Sequence, residues 1–138
     1  MTYVDLVHIY SMVRAGYVPQ LFSLRLPNPD IIFELLEKSD GRAIIFDSSF
    51  GSVAPRDSVR TYVALDVRAE AVPSFALPPV REAKNGEETL MIFHTSGSTS
   101  GRPKLVPCSY AWWDFQMRKS QPATAPYNPA RKDVASWM

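Results

Sequence analysis

The chain has 138 residues, of which 46% are hydrophobic and 21% are charged, and its formal net charge at pH 7 is +1. This composition is typical of a single globular domain and excludes a long disordered chain. The near-neutral charge and the absence of a basic stripe with interleaved aromatic residues argue against a nucleic-acid partner.

The chain carries no sign of export or of membrane insertion. Its N-terminus, MTYVDLVHIY, lacks the basic start and long apolar core of a signal peptide, and no apolar run approaches the about 20 residues of a membrane span. The single cysteine, Cys108, excludes an internal disulfide and fits a reducing compartment. We therefore expect a cytoplasmic protein with no membrane segment.

In the first half, the apolar spacing predicts a helix, an extended segment, a second helix and a strand. The first helix covers about 3–15, is apolar around most of its surface and is therefore expected to be buried, with Gly16 as its C-cap. An extended segment follows at 17–21. A helix over 28–38 opens with an N-cap asparagine and a first-turn proline, and 43–46 forms a strand. This order predicts an α/β fold with a doubly wound parallel sheet.

The second half is less regular. Residues 50–60 read as a polar loop, 62–65 as a strand, and 70–88 as a connection interrupted by prolines and charges. Two further short strands are predicted at 90–93 and 105–106.

The last predicted helix runs from about Tyr110 to Ser120, with Ser109 as its N-cap. Its aromatic cluster is more typical of a core than of a ligand site; the cluster comprises Trp112, Trp113, Phe115 and Met117. The remainder, 121–138, begins as a Pro-rich connector and ends like the opening of another strand. We therefore expect the domain to be truncated there.

The other reactive side chains give weak signals. Cys108 has no visible base beside it, so a small packing residue is favoured over a nucleophile. His8 fits a packed or rim position, and neither it nor His94 has metal-ligand spacing with any Cys, Asp or Glu. The sequence predicts no metal site.

The polar loop 95–104 between the last two strands carries most of the chemical information. Glycines allow close backbone approach and convergence of N–H groups on an anion, hydroxyls donate hydrogen bonds, and a lysine suits phosphate. The composition alone also fits a flexible surface loop. If the loop binds a polyphosphate, its candidate binding residues are Thr95, Ser96, Gly97, Ser98, Thr99, Ser100, Gly101, Arg102 and Lys104.

A Walker A loop does not explain this segment. That motif needs G-x-x-x-x-G-K-[ST] at the start of a helix. Here Gly97 and Gly101 are one residue too close, Pro103 precedes Lys104, and Leu105 follows it.

The loop resembles the phosphate-binding signature of the adenylate-forming superfamily, which includes acyl-CoA synthetases, luciferases, and the adenylation domains of nonribosomal peptide synthetases and carboxylic acid reductases. In that signature a hydrophobic strand precedes T-S-G-[ST]-T-G-x-P-K, which 95–99 and 101–104 match in order. Ser100 is one additional residue. The stretch 15–47 also resembles the region upstream of the signature. The loop is closest to the carboxylic-acid-reductase-like or peptide-synthetase-like branch.

The resemblance implies that 1–138 is a partial AMP-dependent synthetase/ligase N-terminal domain. Its fold would be a partial doubly wound sheet with flanking helices, forming an incomplete N-terminal subdomain. The cofactor would be ATP with Mg²⁺, and the partners a carboxylic acid and a thiol acceptor, either coenzyme A or a carrier-protein arm. The family's downstream motifs for adenine, ribose and the reacting carboxylate have no match after the loop. We therefore predict no catalytic residue here and no activity of the chain alone.

Two other hypotheses remain open from the sequence. The chain is either a small, non-catalytic nucleotide- or anion-binding module that has the loop without the chemistry, or a non-functional truncated gene product. In the second case, the aromatic surface of the last helix would drive association.

Overall fold

A computed structural model describes residues 3–22, 26, 28–50, 59–66, 76–77, 79–97, 102–125 and 130. These ranges form a small mixed α/β domain. Its helices are α1 (Tyr3–Arg14), α2 (Pro29–Lys38) and α3 (Tyr110–Thr124), and its strands are β1 (Ala43–Phe46), β2 (Arg60–Val63), β3 (Thr89–His94) and β4 (Leu105–Ser109), with a 3₁₀ turn at Ser48–Phe50. No helix within these ranges is long and apolar enough to cross a membrane.

The described strands form two separate two-stranded sheets. β1 and β2 are parallel, whereas β3 and β4 are antiparallel. A doubly wound sheet, which the sequence predicted, is not seen in the described part of the chain. The reason for the antiparallel pair lies in the connection: parallel strands need a crossover of about a dozen residues or more, and the ten residues 95–104 reverse the chain instead.

The extended segment before α2 lies against β3. Ile92 N–H donates to the carbonyl of Pro19 at 2.9 Å, and Leu21 N–H donates to the carbonyl of Ile92 at 3.0 Å. Gln20 and Ile92 thereby form an isolated parallel bridge. The predicted extended segment at 17–21 therefore has a definite role, which is to attach the α1–α2 connection to the strand that leads into the loop.

The C-terminus of α1 was predicted correctly, but its burial was not. Gly16 has a φ of +83°, in the left-handed region that suits a C-cap glycine. Only Ile9 is buried on this helix, while Tyr3 is 63% and Tyr10 is 68% exposed. Apolar residues spread around the helix, and only one stripe faces the domain. His8 is half-buried at the rim, where its Nδ1 lies 2.8 Å from the carbonyl oxygen of Val4.

Helix α2 supplies three of the seven buried hydrophobic residues in the described part of the chain, more than any other element. Its N-cap Asn28 accepts a hydrogen bond from Asp30 N–H at 2.9 Å, as the sequence predicted. The buried core cluster consists of Phe33, Leu36 and Val59, against which Phe22, Ile32 and Ile44 pack. Burying a side chain of this size contributes about 1.5–3 kcal/mol. The core thus fixes α2 against β1.

The last helix is longer and more exposed than predicted. Ser109 Oγ accepts from Trp112 N–H at 3.2 Å, which confirms the N-cap. The helix continues to Thr124, so the expected connector from 121 onward is wrong over its first four residues. The core assignment of the aromatic cluster is also wrong for most members: Trp112 is 43% and Phe115 is 60% exposed. Trp113 alone among the three aromatic residues turns inward, with its ring 6.3 Å from that of Phe93.

Several predictions fall outside the described residues. These are most of the loop expected at 50–60, residues 70–75 and 78 of the connection expected at 70–88, and the expected truncated tail beyond Ala125, apart from Ala130. The strand expected at 62–65 is observed two residues earlier, as β2.

Candidate functional site

The candidate loop is closed at its base by two hydrogen bonds. β3 and β4 end their pairing with His94 opposite Leu105. Thr95 N–H then donates to the carbonyl of Lys104 at 2.9 Å, and Lys104 N–H donates to Thr95 Oγ1 at 3.0 Å. We call this pair of bonds the neck. Because the neck uses the amides of Thr95 and Lys104, any amide that binds an anion has to come from the residues between them.

Glycine is required at position 97. Gly97 is buried and has a φ of +73°, a conformation that residues with a Cβ rarely adopt. A Cβ at this position would lie 2.7 Å from the carbonyl carbon of Arg102 and 2.9 Å from the nitrogen of Pro103. The two arms of the loop therefore meet backbone against backbone just above the neck. The close approach seen here is between the two arms of the loop, and the convergence of N–H groups on an anion stays a prediction.

Both cations of the loop are accessible. The Lys104 side chain is exposed, and the Arg102 side chain is 80% exposed. An incoming anion could therefore reach either group without opening the core. Arg102 Nη1 also lies 3.8 Å from Glu34 Oε1 on α2.

The structure describes part of the predicted site. It brings Thr95 together with Lys104, and Gly97 together with Arg102, while Ser96 is exposed beside Gly97. Residues 98–101 lie outside the described ranges, so the contribution of Ser98, Thr99, Ser100 and Gly101 to phosphate binding stays a prediction.

Two residues next to the loop were missed by the sequence analysis. His94 stacks on Phe22 with ring centroids 6.0 Å apart, and its Nδ1 lies 3.1 Å from the carbonyl oxygen of Thr95. Its position immediately before the loop was the available signal. Glu34 gave no signal, because it is far from the loop in sequence and only the fold brings it to Arg102.

The surface of α2 beside the loop is acidic. An open depression there is lined by Asp30, Phe33, Glu34, Glu37, Asp40, Gly41, Arg42 and Val59. Four of these side chains are carboxylates and one is a cation, so the depression itself is a poor site for a phosphate. In the described part of the chain, no group of three or more His, Cys, Asp or Glu side chains is placed to hold a metal ion.

The environment of Cys108 fits a packing residue. Its side chain is 5% exposed, and its Sγ lies 3.7 Å from the carbonyl oxygen of Val106. Burial raises the pKa of the Cys108 thiol, which disfavours the reactive thiolate.

Comparison with known proteins found a curated relative. Over 111 residues the chain is 32% identical to the AMP-binding domain-containing enzyme iboA of Amanita muscaria (strain Koide BX008). The match covers 76% of this chain and 21% of the relative, so the chain spans about a fifth of the length of the protein it matches. No protein-family model matches the chain. No solved structure gives a significant match.

Proposed function

We propose that this chain is part of an adenylate-forming enzyme and supplies the loop that holds the phosphates of ATP. Its similarity to an AMP-binding domain-containing enzyme supports the superfamily. The match of 95–104 to the phosphate-binding signature supports the role of the loop. The observation that carries the proposal is the closed neck with Gly97 packed on Arg102, because it brings the two described ends of the polar segment 95–104 together.

In the proposed reaction, a carboxylate attacks the α-phosphorus of ATP, the bond to the bridging oxygen breaks, and pyrophosphate leaves. The chemistry needs the triphosphate to be held in line and the charge that develops on pyrophosphate to be neutralised. Lys104 would supply a positive charge to the β- and γ-phosphates. The amides and hydroxyls between the two ends of the neck would donate hydrogen bonds to the same oxygens.

The neck also orients the hydroxyl of Thr95. Since Thr95 Oγ1 accepts the hydrogen bond of Lys104 N–H, its own proton remains available for donation to another oxygen. We assign it to a phosphate oxygen. Mg²⁺ would enter with ATP as part of the substrate, and we assign none of the described side chains to it.

The remaining steps belong to the whole protein. The acyl-adenylate would pass to a thiol, either coenzyme A or a carrier-protein arm, in the manner of the carboxylic-acid-reductase-like or peptide-synthetase-like branch. In the whole protein, the two small sheets would be parts of a larger doubly wound sheet. The proposed location is the cytoplasm, in keeping with the lone, reduced Cys108.

Replacing Lys104 with alanine tests the loop assignment. We expect the unsubstituted chain to bind pyrophosphate and ATP saturably in calorimetry, and Lys104→Ala to weaken both by about tenfold or more, as is typical for loss of a hydrogen bond to a charged group. The matched control is Lys119→Ala, which removes the same charge from the exposed surface of α3 and should leave binding unchanged. Equal losses in the two variants would contradict a specific phosphate site.

The chain alone is expected to bind ATP without turning it over. Incubated with ATP, Mg²⁺ and a panel of carboxylic acids, it should give no sustained exchange of labelled pyrophosphate into ATP. The physical reason is that binding the leaving group does not position a carboxylate for attack on the α-phosphorus. Sustained exchange would show that this chain activates a carboxylic acid by itself, which would contradict the proposal that it only holds the phosphates of ATP.

A further inference from the structure

A carboxylate on α2 contacts the loop. Glu34 Oε1 lies 3.8 Å from Arg102 Nη1, and the same oxygen accepts a hydrogen bond from Lys38 Nζ at 2.7 Å. Glu34 is the least exposed of the three, with 39% of its side chain accessible against 53% for Lys38 and 80% for Arg102. One carboxylate is therefore shared by two cations, of which one belongs to the candidate phosphate loop.

Both backbones that carry this contact are anchored. The Arg102 backbone packs closely against Gly97, and the next residue, Pro103, is buried. Helix α2 is fixed by the core residues Phe33, which directly precedes Glu34, and Leu36, which lies two residues after it. The contact thus joins two anchored backbones through side chains that remain partly or largely exposed.

We propose that Glu34 is the resident anion of Arg102, and that a phosphate group of the incoming polyphosphate displaces it. The inference rests on the proposed function and extends it by naming the residue that sets how readily Arg102 is released. A guanidinium presents the same planar set of donors to a carboxylate and to a phosphate, so the two compete for one partner. The more compact ammonium of Lys38 stays with Glu34 when Arg102 leaves.

The ionisation of Glu34 fits this competition. The hydrogen bond from Lys38 holds the pKa of the Glu34 carboxyl below its usual range, and the charge of Arg102 lowers that pKa further. The carboxylate is therefore ionised at neutral pH and available to the guanidinium. Protonation or neutral replacement of Glu34 would remove the competitor.

Calorimetry with pyrophosphate in a four-variant cycle tests the proposal. Glu34→Gln keeps the size of the side chain and removes its charge, and we expect it to raise the affinity for pyrophosphate by about twofold to fivefold, the range typical of an exposed ion pair. In a chain that also carries Arg102→Gln, the same change at Glu34 should have no effect. Glu37→Gln is the matched control, because it removes an equal charge from the exposed surface of the same helix.

The outcomes separate this inference from the proposed function. If Glu37→Gln raises the affinity as much as Glu34→Gln, or if Glu34→Gln acts equally without Arg102, general electrostatics explains the result and the inference is wrong. If the unsubstituted chain binds pyrophosphate and Glu34→Gln leaves the affinity unchanged, the inference fails while the proposed function stands. Failure of the unsubstituted chain to bind pyrophosphate would overturn both.

Discussion

Replacing Leu36 with alanine should lower the free energy of unfolding by about 2–5 kcal/mol, the range measured for truncation of a buried leucine. Leu36 is 3% exposed and belongs to the core cluster with Phe33 and Val59. It also fills the space beside Gly41, where a Cβ would lie 2.6 Å from its Cδ2. Because the fit is tight, the neighbouring residues have little freedom to collapse into the cavity that truncation of Leu36 would leave. The expected loss therefore includes both the free energy of burying the leucine side chain and the cost of the remaining cavity.

Urea denaturation followed by circular dichroism measures this loss. Met117→Ala is the control, because it truncates a side chain that is 63% exposed on α3 and should change the free energy of unfolding by about 0.5 kcal/mol or less. Comparable losses in the two variants would mean that Leu36 is not part of a packed core. Such a result would also remove the support that α2 gives to Glu34.

Replacing Gly97 with alanine should damage both stability and binding. The left-handed conformation costs about 1–2 kcal/mol for a residue with a Cβ. In addition, the new methyl group would lie 2.7 Å from the carbonyl carbon of Arg102, a backbone atom that cannot move aside without opening the loop. We expect a loss of about 1–2 kcal/mol or more in the free energy of unfolding, together with loss of measurable pyrophosphate binding.

Gly86→Ala is the matched control for this variant. Its Cβ would meet the Ala111 methyl group at 3.2 Å, and Gly86 does not need a positive φ. A smaller destabilisation with intact pyrophosphate binding is therefore expected. If Gly97→Ala bound pyrophosphate as tightly as Gly86→Ala, the turn above the neck would have no part in the site.

Features decided by neighbouring residues were predictable from the sequence. The caps at Gly16, Asn28 and Ser109 follow from local geometry: a positive φ in one case and a short side-chain acceptor in the others.

Features decided by distant parts of the chain were not predictable. The apolar composition of α1 indicated a buried helix. Which face of a helix is buried depends on the elements that pack against it, and on α1 only Ile9 is buried. The aromatic residues of α3 failed as a core prediction for the same reason, with Trp113 turned inward and Phe115 outward. The contact of Glu34 with Arg102 depends on where α2 comes to lie beside the loop, and a periodicity argument has no access to that distance.

The neck has a consequence for the length of the loop. A slip of one residue between β3 and β4 would reverse the face of every side chain on the slipped strand and turn the buried Cys108 outward. The bonds between Thr95 and Lys104 set the alignment of the strands on the near side of the turn, and the surplus Ser100 comes between these two residues in the sequence. We therefore expect residues inserted or deleted between Thr95 and Lys104 to change the size of the turn and to leave the register of β3 and β4 unchanged.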